Sequence, residues 1–285
     1  MKKGALALAL ILAAAVLAPA QQVSFKLMGG FSWINGSDYN DGIAGDFALI
    51  RATSTTVSGS FANLTNGAHF QAELITHING WLAVGLGGGY YRVSNTSKVS
   101  YAGLAADGTT YSATSTLSPQ ISVIPFFLNV HYFAALSPKL KLDIYAGPVF
   151  FIVQTHIENP GTLTSANTST LELFTASAST LGAQAGVGLA YQLSRRFHVI
   201  ADASYHLGSY TDIQGNWVKN TTSDAGFTSL SSDSYYMWTY TQNGSYAQYG
   251  FAGTAGPTGD GISNARHTKI DISGLVISAG VRISF

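Results

Sequence analysis

The stretch GLVISAGVRISF, residues 274–285, decides the fold of this chain. Its residues alternate between two faces. One face is apolar and carries Leu275, Ile277, Ala279, Val281, Ile283 and Phe285. The other carries Gly274, Ser278, Gly280, Arg282 and Ser284, with Val276 as the exception. A period of two predicts a β-strand. Strands of soluble proteins usually have about 5–6 residues, whereas a tilted membrane strand needs about 9–11, so this strand is long enough to cross a membrane.

Seven stretches upstream repeat the alternation, and the links between them are of two kinds. The stretches are residues 23–33, 70–78, 82–90, 124–132, 140–150, 181–193 and 197–207. Tight turns at 79–80, 137–139 and 194–196 alternate with long polar connections at 35–67, 95–118, 155–178 and 209–268. Short turns on one side and long loops on the other are typical of outer-membrane barrels. The sequence therefore predicts an all-β fold, an antiparallel up-and-down transmembrane β-barrel of about eight strands with long extracellular loops.

The last connection leaves a ten-stranded alternative open. Two tyrosine-rich segments flank Asn243-Gly244, a dipeptide that favours a tight hairpin turn. Neither segment offers a clean aliphatic face to lipid. We therefore expect an extracellular extension here rather than a ninth and a tenth barrel strand.

The N-terminus has the features of a secretory signal peptide, residues 1–20. Lys2 and Lys3 precede an apolar run from residue 5 to residue 17, and Ala18-Pro19-Ala20 provides small residues for cleavage. A helical membrane anchor is the alternative, but the run is shorter than the ~20 residues that a span requires. We expect residues 21–285 to form the barrel in the outer membrane of a Gram-negative-type bacterium.

Composition agrees with a barrel and excludes several function classes. Charged residues make up 10% of the chain, against about 25% in typical soluble proteins. Without the two lysines of the leader, 12 basic residues face 14 acidic ones, which argues against nucleic acid as a partner. Cysteine is absent, so the chain has no disulfide and no thiolate metal site.

The polar faces of the predicted strands carry charged residues and histidines. The set comprises Lys26, Glu73, His131, Lys141, Asp143, Asp202 and Arg282. An eight-stranded barrel has an interior that side chains can fill, and buried charges persist only when they are paired. We therefore predict a lumenal polar network that plugs the barrel. Lys26 and Arg282, on adjacent strands, would need acids such as Asp143 or Asp202 to reach across the lumen. The alternative is a narrow gated pore lined by the same charges. The spacing of the lumenal histidines matches no metal motif, and no cofactor is predicted.

Other motifs argue against an enzyme and indicate surface recognition. No G-x-S-x-G elbow occurs, although Asp202, Ser204 and His206 are close in sequence. The glycine-rich run 85–89 lies within a strand, where it would leave room in a crowded lumen. The last connection is rich in aromatic residues, among them Trp217, Tyr236, Trp238 and Tyr240. Such residues suit recognition of a glycan or protein, or they pack on one another.

Three stretches resemble the small outer-membrane β-barrel superfamily that includes OmpA-, OmpW- and opacity-type proteins: residues 124–133, 182–197 and 271–285. The resemblance implies contact with outer-membrane lipid and lipopolysaccharide. It also implies that the terminal aromatic, Phe285, is a signal for the barrel assembly machinery. Members are variously tethers, pores, adhesins and receptors.

We expect a structural or surface-interaction role with a plugged lumen and an unidentified surface ligand. A small channel or lateral transporter for apolar solutes, as in the OmpW type, is the first alternative. An outer-membrane lipid-modifying enzyme is the second.

Overall fold

The computed structural model describes residues 22–105, 107–164 and 167–285. The predicted signal peptide lies outside these residues. In chain order the elements are β1 (Val23–Trp33), α1 (Ser37–Thr53), β2 (Thr56–Gly59), β3 (Asn66–His77), β4 (Leu82–Ser94), β5 (Ser97–Leu104), β6 (Thr110–Ala135), β7 (Leu140–Leu163), β8 (Thr168–Gln192), β9 (Phe197–Leu207), β10 (Ser209–Tyr210), β11 (Gln214–Ser223), β12 (Gly226–Gln242), β13 (Tyr246–Ala252), β14 (Ile262–His267), β15 (Ile270–Asp271) and β16 (Gly274–Ser284). Among the described residues, no helix is long and apolar enough to cross a membrane.

Eight strands close into a ring, which confirms the predicted fold. The order around the ring is β1, β3, β4, β6, β7, β8, β9 and β16, and every neighbouring pair is antiparallel. The first and last strands complete the closure, since Lys26 lies opposite Arg282 on one side and Glu73 on the other. Closure satisfies the backbone hydrogen bonds that an edge strand would leave unpaired.

We call the end of the barrel that carries the short turns its lower end. The outer face of the barrel near this end is an apolar belt. Large side chains such as Leu86, Val130 and Ile277 are exposed there at 47–54% of their surface. Aromatic residues lie at its two borders: Trp81, Tyr132, Tyr191 and Phe197 at the lower border, and Phe70, Tyr90, Phe126 and Phe150 at the upper border. Contiguous apolar surface of this extent marks contact with lipid or a partner. Aromatic girdles at both borders are typical of an outer-membrane barrel.

Two of the long connections are strand rather than loop, so their predicted boundaries were wrong. β6, β7 and β8 are 26, 24 and 25 residues long and continue past the belt. β7 and β8 stay paired from Leu140 opposite Tyr191 to Leu163 opposite Thr168. The inward face keeps its apolar alternation through Val153, while the outward face becomes polar. A polar outward face ends the belt but not the strand. We call the part of the protein above the belt the extension.

Residues 209–268 add strands to the extension and none to the ring. β11 pairs with β8, β12 with β11, and both β13 and β14 pair with β12. The predicted hairpin joins β12 to β13, with φ of 51° at Asn243 and 70° at Gly244. Positive φ at both central residues is the geometry of a type I′ turn. The expectation of an extension on an eight-stranded ring, rather than a ten-stranded barrel, is therefore confirmed.

Helix α1 was not predicted from the sequence. It packs on β13, where the rings of Tyr39 and Tyr249 lie 5.1 Å apart. The guanidinium of Arg266 donates two hydrogen bonds to the Asp38 carboxylate, and the backbone N–H of Lys269 donates a third. These contacts fix the helix to the last extracellular segment.

An apolar core fills the interior of the extension. It includes Tyr39 and Ile43 of α1, Val153 and Ile157 of β7, Phe174 of β8, Met237 of β12 and Tyr249 of β13. All of these are at most 9% exposed. The barrel is therefore closed by apolar packing above its lower, polar interior.

The position of the apolar belt leads to a prediction: a charge placed in the belt should lower stability more than the same charge in the extension. Val130→Arg places a charge in the apolar belt, and we expect it to lower the free energy of unfolding by about 2–4 kcal/mol. Leu230 is also exposed, at 61%, but it lies in the extension. Leu230→Arg should change stability by less than about 0.5 kcal/mol. Denaturant unfolding in lipid vesicles measures both variants, and equal costs would contradict the position of the belt.

Candidate functional site: the lumenal polar network

The sheet register brings charged side chains from separate strands to one level of the lumen. Lys26 of β1 lies between Arg282 and Glu73 in the ladder. On the other side of the barrel, Asp143 and Asp202 both lie opposite Gly188. All five side chains point inward, because successive strand residues alternate between the lumen and the outer face.

Lys26 lies among three carboxylates. Its Nζ donates a hydrogen bond to Oδ2 of Asp202 at 3.2 Å and lies 3.9 Å from Glu73 Oε2 and 4.0 Å from Asp143 Oδ2. The side chains of all four residues are at most 1% exposed. A buried ammonium is costly unless it is paired and hydrogen-bonded, so this arrangement stabilises the charge where it lies.

His131 joins two of the same carboxylates. Its Nδ1 is 2.9 Å from Asp143 Oδ1, and its Nε2 is 2.9 Å from Glu73 Oε1. A carboxylate can only accept, and an imidazole donates from both nitrogens only when it is protonated. The geometry therefore suits a second cation among the three acids.

Neutral side chains complete the network, and the sequence analysis did not select them. Asn129 donates to Glu73 at 2.8 Å, Gln184 donates to Asn129 at 2.9 Å, and the Tyr145 hydroxyl donates to Asp202 at 2.8 Å. They could have been predicted from the strand alternation, which places all three on the inward face. Side-chain hydrogen bonds thus cross the lumen from β3 to β8.

Two predicted members do not join this cluster. Arg282 is buried and stacks over the Phe133 ring at 4.9 Å, and its Nε and Nη1 have no hydrogen-bond partner among the described residues. Lys141 is half-buried, and no ion pair of Lys141 occurs in the described part of the chain. The structure therefore brings together five of the seven: Lys26, Glu73, His131, Asp143 and Asp202.

A layer of buried rings lies where the apolar core of the extension meets the network. The ring of His206 is 6.3 Å from those of both His69 and Tyr91 and 6.1 Å from that of Phe151. Neither nitrogen of His69 has a hydrogen-bond partner among the described residues. Among the same residues, no group of three or more His, Cys, Asp or Glu side chains is arranged so that it could hold a metal ion.

The four aromatic residues predicted for recognition are packed within the extension. Trp217 is 9% exposed and donates from Nε1 to Glu172 at 2.7 Å. Tyr236 and Trp238 both contact the His267 ring, with centroids 5.0 and 4.2 Å away, and Tyr240 is half-buried. This placement favours packing for Trp217. A recognition role for the four remains a prediction.

Phe285 lies at the lower end of the barrel. Its side chain is 74% exposed, and its backbone N–H donates to the Val23 carbonyl at 2.9 Å. The last residue thus continues the β16–β1 seam. This position leaves the aromatic ring accessible, and the assembly role that the family resemblance implies remains a prediction.

Glycine makes room for the network. A Cβ atom on Gly85 would lie 2.2 Å from Glu73 Oε1 and 2.7 Å from His131 Nε2. These are the two atoms of the Glu73–His131 contact. A side chain at this position would therefore separate the acid from the imidazole.

Gly85→Ala tests this fit. We expect it to lower the free energy of unfolding by about 1–3 kcal/mol through overpacking. The matched control is Gly80→Ala, since a Cβ at Gly80 meets nothing within 4 Å. Guanidinium unfolding of both variants in detergent measures the difference. A Gly85→Ala protein as stable as the control would show that the network tolerates displacement.

Comparisons with known proteins place the chain in a family. A comparison with curated proteins finds no related sequence. Among solved structures, the chain is similar to the outer membrane protein OprG from Pseudomonas aeruginosa, with 11% identity over 93% of this chain and 97% of that one and a TM-score of 0.41. It is also similar to a major outer membrane protein from Thermus thermophilus (14% identity, 93% and 100% covered, TM-score 0.34) and to the outer membrane protease OmpT from Escherichia coli (10%, 94% and 99%, 0.31). Structural similarity with TM-scores this low gives no information about function.

The family itself is shown by a sequence model. The model for the outer membrane protein beta-barrel domain matches residues 4–230, well over half of the chain. This match confirms the resemblance seen in the sequence. The chain therefore belongs to the outer membrane protein beta-barrel domain family and is an outer-membrane β-barrel protein.

Proposed function

We propose that this protein is a non-conducting outer-membrane barrel whose folded extension interacts with a partner at the cell surface. The observation that carries the proposal is the closure of the lumen at two levels by two kinds of chemistry. The lower level is polar and the upper level is apolar. Either closure alone would block the passage of a hydrated solute.

The lower closure is rigid because its members hold one another. The Lys26 ammonium and the His131 ring contact Glu73 and Asp143, and Asp202 also accepts a hydrogen bond from Tyr145. Opening a path between them would leave buried charges unpaired, which costs about 3–5 kcal/mol for one broken pair. A gate at this level would therefore need a large compensating interaction.

The upper closure removes water from the mouth of the barrel. Phe127, Val149 and Phe151 are at most 3% exposed and belong to the core that continues into the extension. Because the inward face changes from charged to apolar within a few strand residues, an ion that passed the network would meet a dry core. This argues against the gated-pore alternative.

The extension supports the surface-interaction role. It is an ordered body of paired strands and one helix rather than a set of loops, so its outer face is preorganised. Preorganised surfaces bind with less loss of conformational entropy. The partner, the contact with lipopolysaccharide, the use of Phe285 by the assembly machinery and export by residues 1–20 are parts of the proposal that rest on the sequence.

The enzymatic alternative has no support in the geometry of the most suggestive residues. Asp202 accepts hydrogen bonds from Lys26 and Tyr145, while His206 lies among aromatic rings. No acid–His–Ser relay forms from these residues. We therefore propose a non-enzymatic role.

Single-channel recording tests the proposal. The purified full chain, inserted into planar bilayers, should produce no stable openings, while a general porin in the same bilayers provides the positive control. Folding of the inserted protein is checked by its faster gel mobility before boiling. Frequent, stable openings from folded protein would contradict both closures and favour the channel alternative.

A further inference from the structure

A small cavity lies beneath α1, inside the extension. Its volume is about 190 Å³. Its walls come from α1, from the residue Phe61 that follows β2, and from β6, β7 and β13. The side chains that matter here are Asp46, Phe61, Gln248 and Tyr249. The cavity shares no lining residue with the lumenal network or with the layer of buried rings next to that network.

Asp46 brings an uncompensated carboxyl group to the cavity. No lysine, arginine or histidine nitrogen lies within ion-pair distance of this carboxyl among the described residues. Burial, aided by the nearby carboxylate of Glu172, raises the pKa of Asp46 to about 8. A cation beside this carboxyl group would stabilise its ionised form.

Gln248 provides a second polar side chain in the wall of the cavity. It lines the same cavity, is only 8% exposed, and its amide makes no hydrogen bond within the described residues. Its carbonyl oxygen is therefore an available acceptor beside Asp46.

Aromatic walls complete a cation site. The rings of Phe61 and Tyr249 line the cavity. Cations are attracted to aromatic faces, and the attraction grows when water is excluded. Leu117 provides apolar contact for a short alkyl chain.

We propose that this cavity binds the ammonium group of a primary alkylamine, with Asp46 as the charged partner and Gln248 as a hydrogen-bond acceptor. Such a group occurs on free amines and on lysine side chains of a surface partner. The proposal does not depend on whether the lumen conducts, and it adds a ligand class to the surface role. Butylammonium represents the shared chemistry, and Nα-acetyl-lysine amide represents a lysine side chain on a peptide.

The pH dependence follows from the neighbours of Asp46. The charged group facing it from β8 is Glu172, which accepts a hydrogen bond from Trp217 and lies opposite Lys219 in the ladder. Tyr39, Tyr240 and Tyr249 face it from α1, β12 and β13, and burial raises the pKa of each above its ordinary value, so these phenols stay neutral. Below pH about 8, binding must displace a proton from Asp46. Affinity should therefore fall about tenfold per pH unit as the pH decreases below that value.

Titration calorimetry of the full chain in a non-ionic maltoside detergent tests the site, since amine-oxide detergents would compete. We expect butylammonium to bind saturably at pH 8.5 and the neutral isostere 1-butanol to bind far more weakly. Asp46→Asn should weaken butylammonium binding at least ~10-fold. The control Asp41→Asn removes a charge from an exposed position of the same helix and should leave binding within about twofold.

Each outcome decides the proposal. Binding of butylammonium together with acetyl-lysine amide supports a lysine-bearing partner, and binding of butylammonium alone supports a free amine. Absence of butylammonium binding by folded protein overturns the proposal. Equal binding of butanol, or an unchanged affinity in Asp46→Asn, overturns it as well, because the cavity would then act as an apolar pocket.

Discussion

The structure depends on the pairing of Lys26 with three carboxylates inside a closed ring of strands. Lipid surrounds the ring, and side chains fill it, so no bulk water is available to solvate these charges. Lys26, Glu73, Asp143 and Asp202 come from four different strands, and their contacts tie opposite walls of the barrel together. A buried charge is costly unless it is paired, and the register of the four strands brings Lys26 and its three carboxylates into contact.

Long strands divide the protein into a membrane part and an extracellular part without a change of secondary structure. β7 shows this clearly: Phe150 faces outward and is 42% exposed, whereas Gln154 and His156 follow on the same face. The inward face stays apolar through Phe151 and Ile157. The edge of the membrane is thus set by the outward residues alone, and the strand continues as a scaffold on which α1 and the last extracellular segment fold.

Much of the barrel could be predicted from the sequence, because the period of two identifies both faces of each strand. The inward positions of Lys26, Asp143 and Asp202 follow directly from it, as does the use of Gly85 to make room. The approach of Asp143 and Asp202 to Lys26 across the lumen was also expected. The other cross-lumen contacts did not follow, since they depend on the stagger of the strands. Arg282 shows this: it is inward as predicted but stacks on Phe133 instead of pairing with an acid.

The extension was harder to predict for two physical reasons. Serine and threonine are common in both loops and exposed strands, so β7 and β8 could not be followed past the apolar belt. Helix α1 contains Gly42 and Gly45, residues that lower helix propensity. Gly45 is required by close packing, because a Cβ there would lie 1.6 Å from the Ala247 carbonyl oxygen. The helical spacing of Tyr39, Ile43 and Phe47 was the available signal.

A double-mutant cycle between Lys26 and Asp202 tests the central claim most directly. The free energy of unfolding is measured for Lys26→Met, Asp202→Asn and the double variant, with Leu230→Ala as a distant partner for Lys26→Met. The account predicts that Lys26→Met alone costs about 3–5 kcal/mol and that the double variant costs less than the two single changes together, by about 0.5–3 kcal/mol. Additive costs, like those expected for the distant pair, would contradict a coupled network and leave the barrel held by its strands alone.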